Sequence, residues 1–560
     1  MAETDALAQK LMARSERMAS DRAVFDSHWE QVRLVTRPDA AGFESRDWPG
    51  TQNRGNILDG TGEDAAELLA GALNGFLTNP GQKWFGLRAK RRALNRDAEV
   101  AAWLEAVRDL LLAVFESPES QFSNQIQQTY QDLVDFGTPV LYIADRPGKL
   151  PLFQQRPLGE CAMAESAEGV VDTLSRRFRL TARQAEQEFP GRLPDRIVTA
   201  LANGKAEDRF DFLHFTLPAK ELKGERLETN TRAPFYSIWI SLDSKMRVKE
   251  RPFKEFPYVT PRWKVRAGEV YGRSPGMKAL PDVQMLQRAM ESQIRGVEKT
   301  IDPPLMVASD GILTPIAGGP KNINVVEADM LTGRLSPIQP LLSGARPDIG
   351  DIFLDGIRDR IGRSYFNHLL QLSRDPRMTA THVLKLDEES LRVIGPFLGR
   401  AQNELLGPMI ARTYGIIGRM GGLPPLPAAL DREAIEVEYV SPVAKAQRLS
   451  EATAYGQLFD LSGPMTEADQ QVWDNLDRDA AYRTMAERLG VPKSDMRDPR
   501  AVARIRRERA EEIARQADAE ELETTARAAQ SAGQAAMAFK NAGAGTGPAN
   551  GGAANQNQAA

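Results

Sequence analysis

Residues Pro252 to Gly276 read PFKEFPYVTPRWKVRAGEVYGRSPG, and about a hundred residues later Arg374 to Leu384 read RDPRMTATHVL. The first stretch ends in a turn that starts a helix. Ser274 is a residue type favoured as N-cap, and Pro275 falls at the first helical position, where its missing N–H costs nothing. Helical spacing then runs from Gly276 to Thr300 and stops at Asp302-Pro303-Pro304. The next forty or so residues, Asp302 to Ala345, are rich in Gly and Pro and include GGPKNINVV and LSPIQPLL, which read as short strands and loops. Asp348 to Gln371 follows with Ile349, Ile352, Phe353, Ile357, Ile361 and Tyr365 at helical spacings. The order is therefore helix, small β-type insertion, helix. After the polar break Ser373-Arg374-Asp375-Pro376, a long helix is expected from Thr379 to Arg419, kinked at Gly395-Pro396.

Upstream, Leu7, Leu11, Met18, Phe25, Trp29 and Val32 trace one helix face, which Pro38 closes. Thr61 to Thr78, Asp97 to Glu116 and Gln121 to Phe136 repeat the pattern. Beyond Gly137 it changes to PVLYIAD, VVDTLSRRF, FDFLHFTL and FYSIWIS, aromatic and β-branched runs separated by turn residues. Downstream of Gly421-Gly422-Leu423-Pro424-Pro425, a further helical region spans Pro442 to about Ala529. Its last part, Ala501 to Gln530, sets six Arg against seven Asp and Glu, a near-neutral face and not a basic arm. Gly543 to Ala560 is too poor in apolar residues to fold. The fold class expected is α+β, predominantly helical.

At 560 residues the chain needs several subdomains. Its single cysteine, Cys161, cannot close an intrachain disulfide, which suits assembly in a reducing compartment. The longest apolar run, Leu110 to Phe115, is far too short to span a membrane, and the charged N-terminus does not resemble a secretion signal. A net charge of −4 provides no global attraction for DNA.

Enzymatic readings find little support. Gly272-Arg273-Ser274-Pro275-Gly276 fits the G-x-S-x-G pattern of a serine hydrolase using Ser274, yet Pro275 has no N–H to donate to an oxyanion, and no βα alternation surrounds it. No phosphate-binding G-x-x-x-x-G-K-[ST] run occurs, and His28, His214, His368 and His382 are scattered, so neither a cofactor nor a metal site is expected. Asp348, Asp351, Asp355 and Asp359 fall on one helix side. They read as a solvated face paired with Arg358 and Arg363, or, in a ring, as an acidic stripe that repels DNA phosphate. Arg374 and Arg377 are either turn-flanking charges or loose phosphate contacts.

The aromatic-Pro segment leading to Tyr271-Gly272-Arg273-Ser274, the helix-insertion-helix order, and Arg377-Met378-Thr379-Ala380-Thr381 at the head of a kinked helix together resemble the portal, or head-to-tail connecting, family of short-tailed phages. The likeness extends along nearly the whole chain. It implies a dodecameric ring at one capsid vertex, assembled in the host cytoplasm, through which the large terminase drives double-stranded DNA. Further implied partners are a tail adaptor, the major capsid protein and scaffolding protein. The resemblance assigns residues 1–274 to a wing, 275–301 to a first stem helix capped by Ser274 and Pro275, 302–345 to a clip and 346–369 to a second stem helix. It assigns 370–379, with Arg374 and Arg377, to a channel loop, 380–420 to a kinked wing helix, 421–529 to a crown and 530–560 to a disordered tail. Asp348, Asp351, Asp355 and Asp359 become candidate channel-facing acids. Another oligomeric tail or adaptor component is the alternative.

Overall fold

The computed structural model describes residues 5–44, 51, 54–225, 227, 232–308, 317–326, 338–340, 347–367, 395–430, 435–439, 454–461, 476–489, 491, 496–497 and 499–542. Two compact units result, residues 1–477 and 478–560, and each is described by itself.

The larger unit begins with α1 (Ala6–Thr36), capped by the Asp5 carboxylate, which accepts from the Leu7 and Ala8 N–H groups. Leu7, Leu11, Met18, Trp29 and Val32 are buried along it, the stripe that the spacing predicts. Next come α2 (Thr61–Leu77), β1 (Phe85–Ala89), α3 (Ala98–Glu116) and α4 (Phe122–Asp135). Gly137, at φ +82°, ends this run; a Cβ there would meet the Gly272 carbonyl oxygen at 2.5 Å, so only glycine fits.

Two antiparallel sheets follow. A three-stranded one has β2 (Val140–Ala144) between β3 (Leu152–Arg156) and the short β9 (Tyr258–Val259). A five-stranded one runs in sequence order from β4 (Cys161–Glu165) and β5 (Val171–Thr181), through β6 (Arg209–Pro218) and β7 (Phe235–Ser241), to β8 (Met246–Phe253). The runs VVDTLSRRF, FDFLHFTL and FYSIWIS supply β5, β6 and β7 in turn. Two short helices, α5 (Ala182–Glu188) and α6 (Asp195–Ala202), interrupt the β5–β6 connection and bury Phe189 and Ile197 against the sheet.

After Ser274 the chain enters α7 (Pro275–Ile301), crosses a small sheet of β10 (Leu305–Ala308), β11 (Ile323–Val326) and β12 (Ile338–Pro340), and returns as α8 (Pro347–Ser364). In that sheet β10 is central, parallel to β11 and antiparallel to β12. Residues 395–401 are helical, Gln402–Leu406 form a π turn, and Gly407–Arg419 continue as α-helix. The start of this helix, including any bend before Gly395, lies outside the described residues. The departure from α-geometry among those that are described is the π turn. Finally β13 (Ile435–Tyr439) returns to pair antiparallel with β1, Phe85 opposite Tyr439 and Ala89 opposite Ile435.

One large core joins α2, α3, α4, the near ends of α7 and α8 and the 397–417 helical segment. The smaller unit contains the helices Arg478–Leu489 and Pro499–Ala542, linked by an Arg506–Asp479 ion pair. The second helix runs twelve residues past Gln530, where the sequence reading begins a disordered tail. The segment SAGQAAMAFKNA carries enough Ala to extend the helix cheaply. Residues 543–560 lie outside the described set.

Candidate functional site: the rooted helix pair

The near end of α7 is built into a tight backbone knot. The Ser274 hydroxyl accepts from the Met277 N–H at 2.8 Å and donates to the Asp135 carbonyl at 2.7 Å. Pro275 occupies the first helical position. A Cβ on Gly276 would lie 2.8 Å from the Asp135 carbonyl oxygen, and the Gly272 N–H donates to the Thr138 hydroxyl at 2.7 Å. The YGRSPG run is thus the place where α7 is pressed against the end of α4. Trp29 and Tyr271 secure the same corner, donating to the Phe136 carbonyl oxygen through Nε1 in one case and accepting from the Met163 N–H in the other.

A second node joins α7 to α8. The buried Gln287 amide accepts from the Leu58 and Asp59 N–H groups and donates to the Asp59 carbonyl. The Asp59 carboxylate accepts from Arg358 of α8 at 2.8 and 3.0 Å and from Thr61. Burial raises the Asp59 pKa, but the hydrogen bonds from Thr61 and Arg358 outweigh it and hold the carboxyl below its ordinary range.

Beneath the knot lies a polar cluster that its neighbours leave incomplete. Asp132 and Asp135 of α4 both face Arg37, whose Nη1 lies 2.6 Å from Asp132 and 3.8 Å from Asp135. Among the described residues, neither Asp135 carboxylate oxygen has a hydrogen-bond donor, and the buried Tyr365 hydroxyl just past the end of α8 is equally unpartnered. Burial is the main cause that lifts the Asp135 pKa to about 7; Arg37 opposes it and Asp132 reinforces it.

The far ends of the pair differ in kind. Among the acids, Asp351 accepts from Gln293 at 3.2 Å, and Asp355 accepts from Arg358 at 2.8 Å. Asp359 is exposed, and Asp348 lies in the first turn of α8. Arg374, Arg377, His368, His382 and the RMTAT run lie outside the described residues. Ile352, Ile301 and Phe353 are 75, 73 and 55 % exposed.

A hydrolytic use of Ser274 does not fit this geometry. Its hydroxyl is 4 % exposed and committed on both sides, and among the described residues no histidine bonds to it. The buried histidine, His214, stacks on Trp239 at 4.1 Å and hydrogen-bonds Tyr258 instead. Among the described residues, no group of three or more His, Cys, Asp or Glu could hold a metal ion, and no helix is long and apolar enough to cross a membrane.

Two arginines matter to this architecture, Arg262 within the aromatic-Pro segment and Arg412 outside any motif. Arg262 donates to both Glu404 carboxylate oxygens, to Glu165 and to the Gly169 and Val270 carbonyls, tying the π turn to the chain before α7. Arg412 is fully buried and donates to the Ile143 and Glu255 carbonyls.

Residues 8–497 match the family described as bacteriophage head to tail connecting protein. The chain belongs to that family. The chain is 28% identical over 512 residues to the probable portal protein of Bordetella phage BPP-1, covering 90% of this chain and 91% of that one. It is likewise 28% identical over 525 residues to the portal protein of Salmonella phage epsilon15, covering 91 and 92%. A solved structure, the neck of a native gene transfer agent particle computed with C12 symmetry, aligns at a TM-score of 0.33 and 12% identity over 71% of this chain and 87% of that one, too distant to carry argument. The head-to-tail connecting family is structural, so the chain is a virion component and not an enzyme.

Proposed function

We propose that the chain is the portal subunit of a tailed phage, assembling as a dodecameric ring at one capsid vertex. The ring is the conduit for double-stranded DNA during packaging and ejection. The observation that carries this reading is a helix pair rooted in the core at one end and bearing a small three-stranded sheet at the other, within a chain that belongs to the connector family from residue 8 to 497.

On this reading α7 and α8 form the stem, residues 302–345 the clip that docks the large terminase and later the tail adaptor, and 1–274 the wing beside the major capsid and scaffolding proteins. Residues 380–420 complete the wing, and the C-terminal helices form the crown. Arg374 and Arg377 would lie on the DNA side of the channel loop. Asp348, Asp351, Asp355 and Asp359 are candidate channel-facing acids, though only carboxylates without a cationic partner repel phosphate. Passage independent of sequence requires that no single phosphate contact hold tightly, since each would break at every step.

Negative-stain imaging of the purified chain should show rings with a central hole. Replacing residues 302–345 by a short Gly-Ser linker should keep the ring and lose terminase binding. Terminase binding retained by that variant would remove the docking role from the clip.

A further inference from the structure

Four segments of the chain meet at one buried point. The chain leaving α1 brings Arg37, the end of α4 brings Asp132 and Asp135, the start of α7 brings Ser274 and Gly276, and the turn after α8 brings Tyr365. Asp135 and Tyr365 are fully buried. A Cβ on Gly276 would lie 2.8 Å from the Asp135 carbonyl oxygen and 3.3 Å from the Tyr365 hydroxyl, so the two residues come together where the glycine leaves room. Asp132 is well provided, accepting from Arg37 at 2.6 Å and from the Gln155 amide. Asp135 is not. The Thr36 hydroxyl nearby donates to the Val32 carbonyl, and both Asp135 carboxylate oxygens, the Tyr365 hydroxyl and Arg37 Nε lack a partner among the described residues.

The charges at this point do not balance. Arg37 is one cation against the two carboxylates of α4, and Asp39, the further acid acting on Asp135, is exposed. From α7 the groups at this point are the Ser274 hydroxyl and Gly276, which add no charge. A net negative charge away from solvent is costly, and one proton removes it. Burial raises the pKa of Tyr365 further above its ordinary value, so the phenol keeps its own proton near neutrality. Burial raises Asp132 as well, but Arg37 and Gln155 oppose it there, so the added proton belongs to Asp135.

The side of the joint that yields first is the turn after α8. Phe366 has φ +61°, a left-handed backbone that a bulky residue adopts only where tertiary contacts impose it. Its ring lies 6.3 Å from that of Trp263, which stacks on Phe397 at 3.9 Å. A strained residue therefore stands next to an unsatisfied buried hydroxyl.

We propose that a proton on Asp135 latches this joint: while it is bound the joint stays closed, and its loss favours a local opening in which the turn carrying Tyr365 and Phe366 lifts from Gly276 and water reaches the carboxylate. In the open form Asp135 ionises as an ordinary aspartate, whereas in the closed form burial holds it up to about 7. Opening therefore releases a proton, becomes easier as pH rises from about 4 to about 7, and levels off above that. The device belongs to the single chain and does not depend on the ring.

Hydrogen–deuterium exchange of the full-length chain, read by mass spectrometry at pH 5 and pH 8 and corrected for the intrinsic pH dependence of exchange, tests the latch. Protection of residues 361–366 should fall by about tenfold or more between the two, as one linked proton requires, while β6 stays better protected at pH 8. In Asp135→Asn, which cannot ionise, protection should be equal at both. Wild-type protection independent of pH, the same fall in Asp135→Asn, or residues 361–366 as protected as β6 at pH 8 would each overturn the latch. Protection restored at pH 8 by sodium chloride and not by choline chloride would assign the site to a metal cation and overturn it too. Tyr365→Phe keeps the ring and removes the hydroxyl, so the ionised carboxylate loses an unused donor beside it and the fall should deepen. An unchanged fall in Tyr365→Phe would contradict the pairing of the two groups.

Discussion

The two halves of the α7–α8 pair have similar compositions and opposite fates. From Pro275 to Gln287, α7 buries Met277, Ala279, Leu280, Val283 and Leu286, and α8 buries Leu354, Ile357 and Ile361, followed by Tyr365 in the turn just beyond it. Farther out, Ile294, Ile301, Ile352 and Phe353 are exposed although they are as apolar as their buried counterparts. The near half stabilises the fold of one chain. The far half is left with side chains that no described residue covers, as expected of a surface kept for other copies.

Substitutions divide the halves most sharply where a charge is introduced. Ile361→Asp buries an unpaired carboxylate and should cost about 3 kcal/mol or more, seen as a large drop in the denaturant midpoint or as an insoluble chain. If Ile361→Asp were as stable as wild type, the near half would not be the root described here.

Asp135 provides a test by pH. Its folded-state pKa is raised to about 7 from an ordinary 3.8. The folded chain therefore holds a proton that the unfolded chain releases, and stability falls as pH rises from about 4 to about 7. The full penalty above pH 7 is on the order of 4 kcal/mol as a ceiling. Asp135→Asn should flatten this slope, with its largest gain over wild type at pH 8 in denaturant titrations; equal slopes would show that the carboxyl is not held protonated.

Ser274→Ala should cost about 1 to 3 kcal/mol. That exceeds the roughly 1 kcal/mol expected of a lost cap alone, because the same hydroxyl also satisfies the Asp135 carbonyl. A melting temperature unchanged in Ser274→Ala would discount both bonds. The smallest effect belongs to the far half: Phe353→Ser should leave the subunit's stability within about 0.5 kcal/mol of wild type. A large loss there would mean that the exposed end is structural within the monomer.

What the sequence made legible follows from locality. The α1 stripe, the helix-insertion-helix order and the runs that become β5, β6 and β7 are periodic over a few residues, and the structure has them where the periodicity lies. The pairing of β1 with β13 joins residues about 350 apart, and FGLRA shows no alternation that would announce it. Nothing in the local sequence announces the burial of Arg262 and Arg412, since burial of a guanidinium depends on carbonyls supplied by distant segments. The knot at Gly137 and Gly272 was partly legible: YGRSPG marks a turn and a cap, but that its backbone presses on the end of α4 depends on tertiary contact. Of the candidate site residues, Ser274 and Pro275 were legible because a cap is a local motif, whereas the direction in which the α8 acids point in an assembly is a property of the neighbours.

Native mass spectrometry of the intact chain tests the central claim most directly. The account predicts a closed assembly of about twelve copies of the 61.9 kDa chain. A chain that remains monomeric, or stops at a compact dimer, across the micromolar range would contradict it.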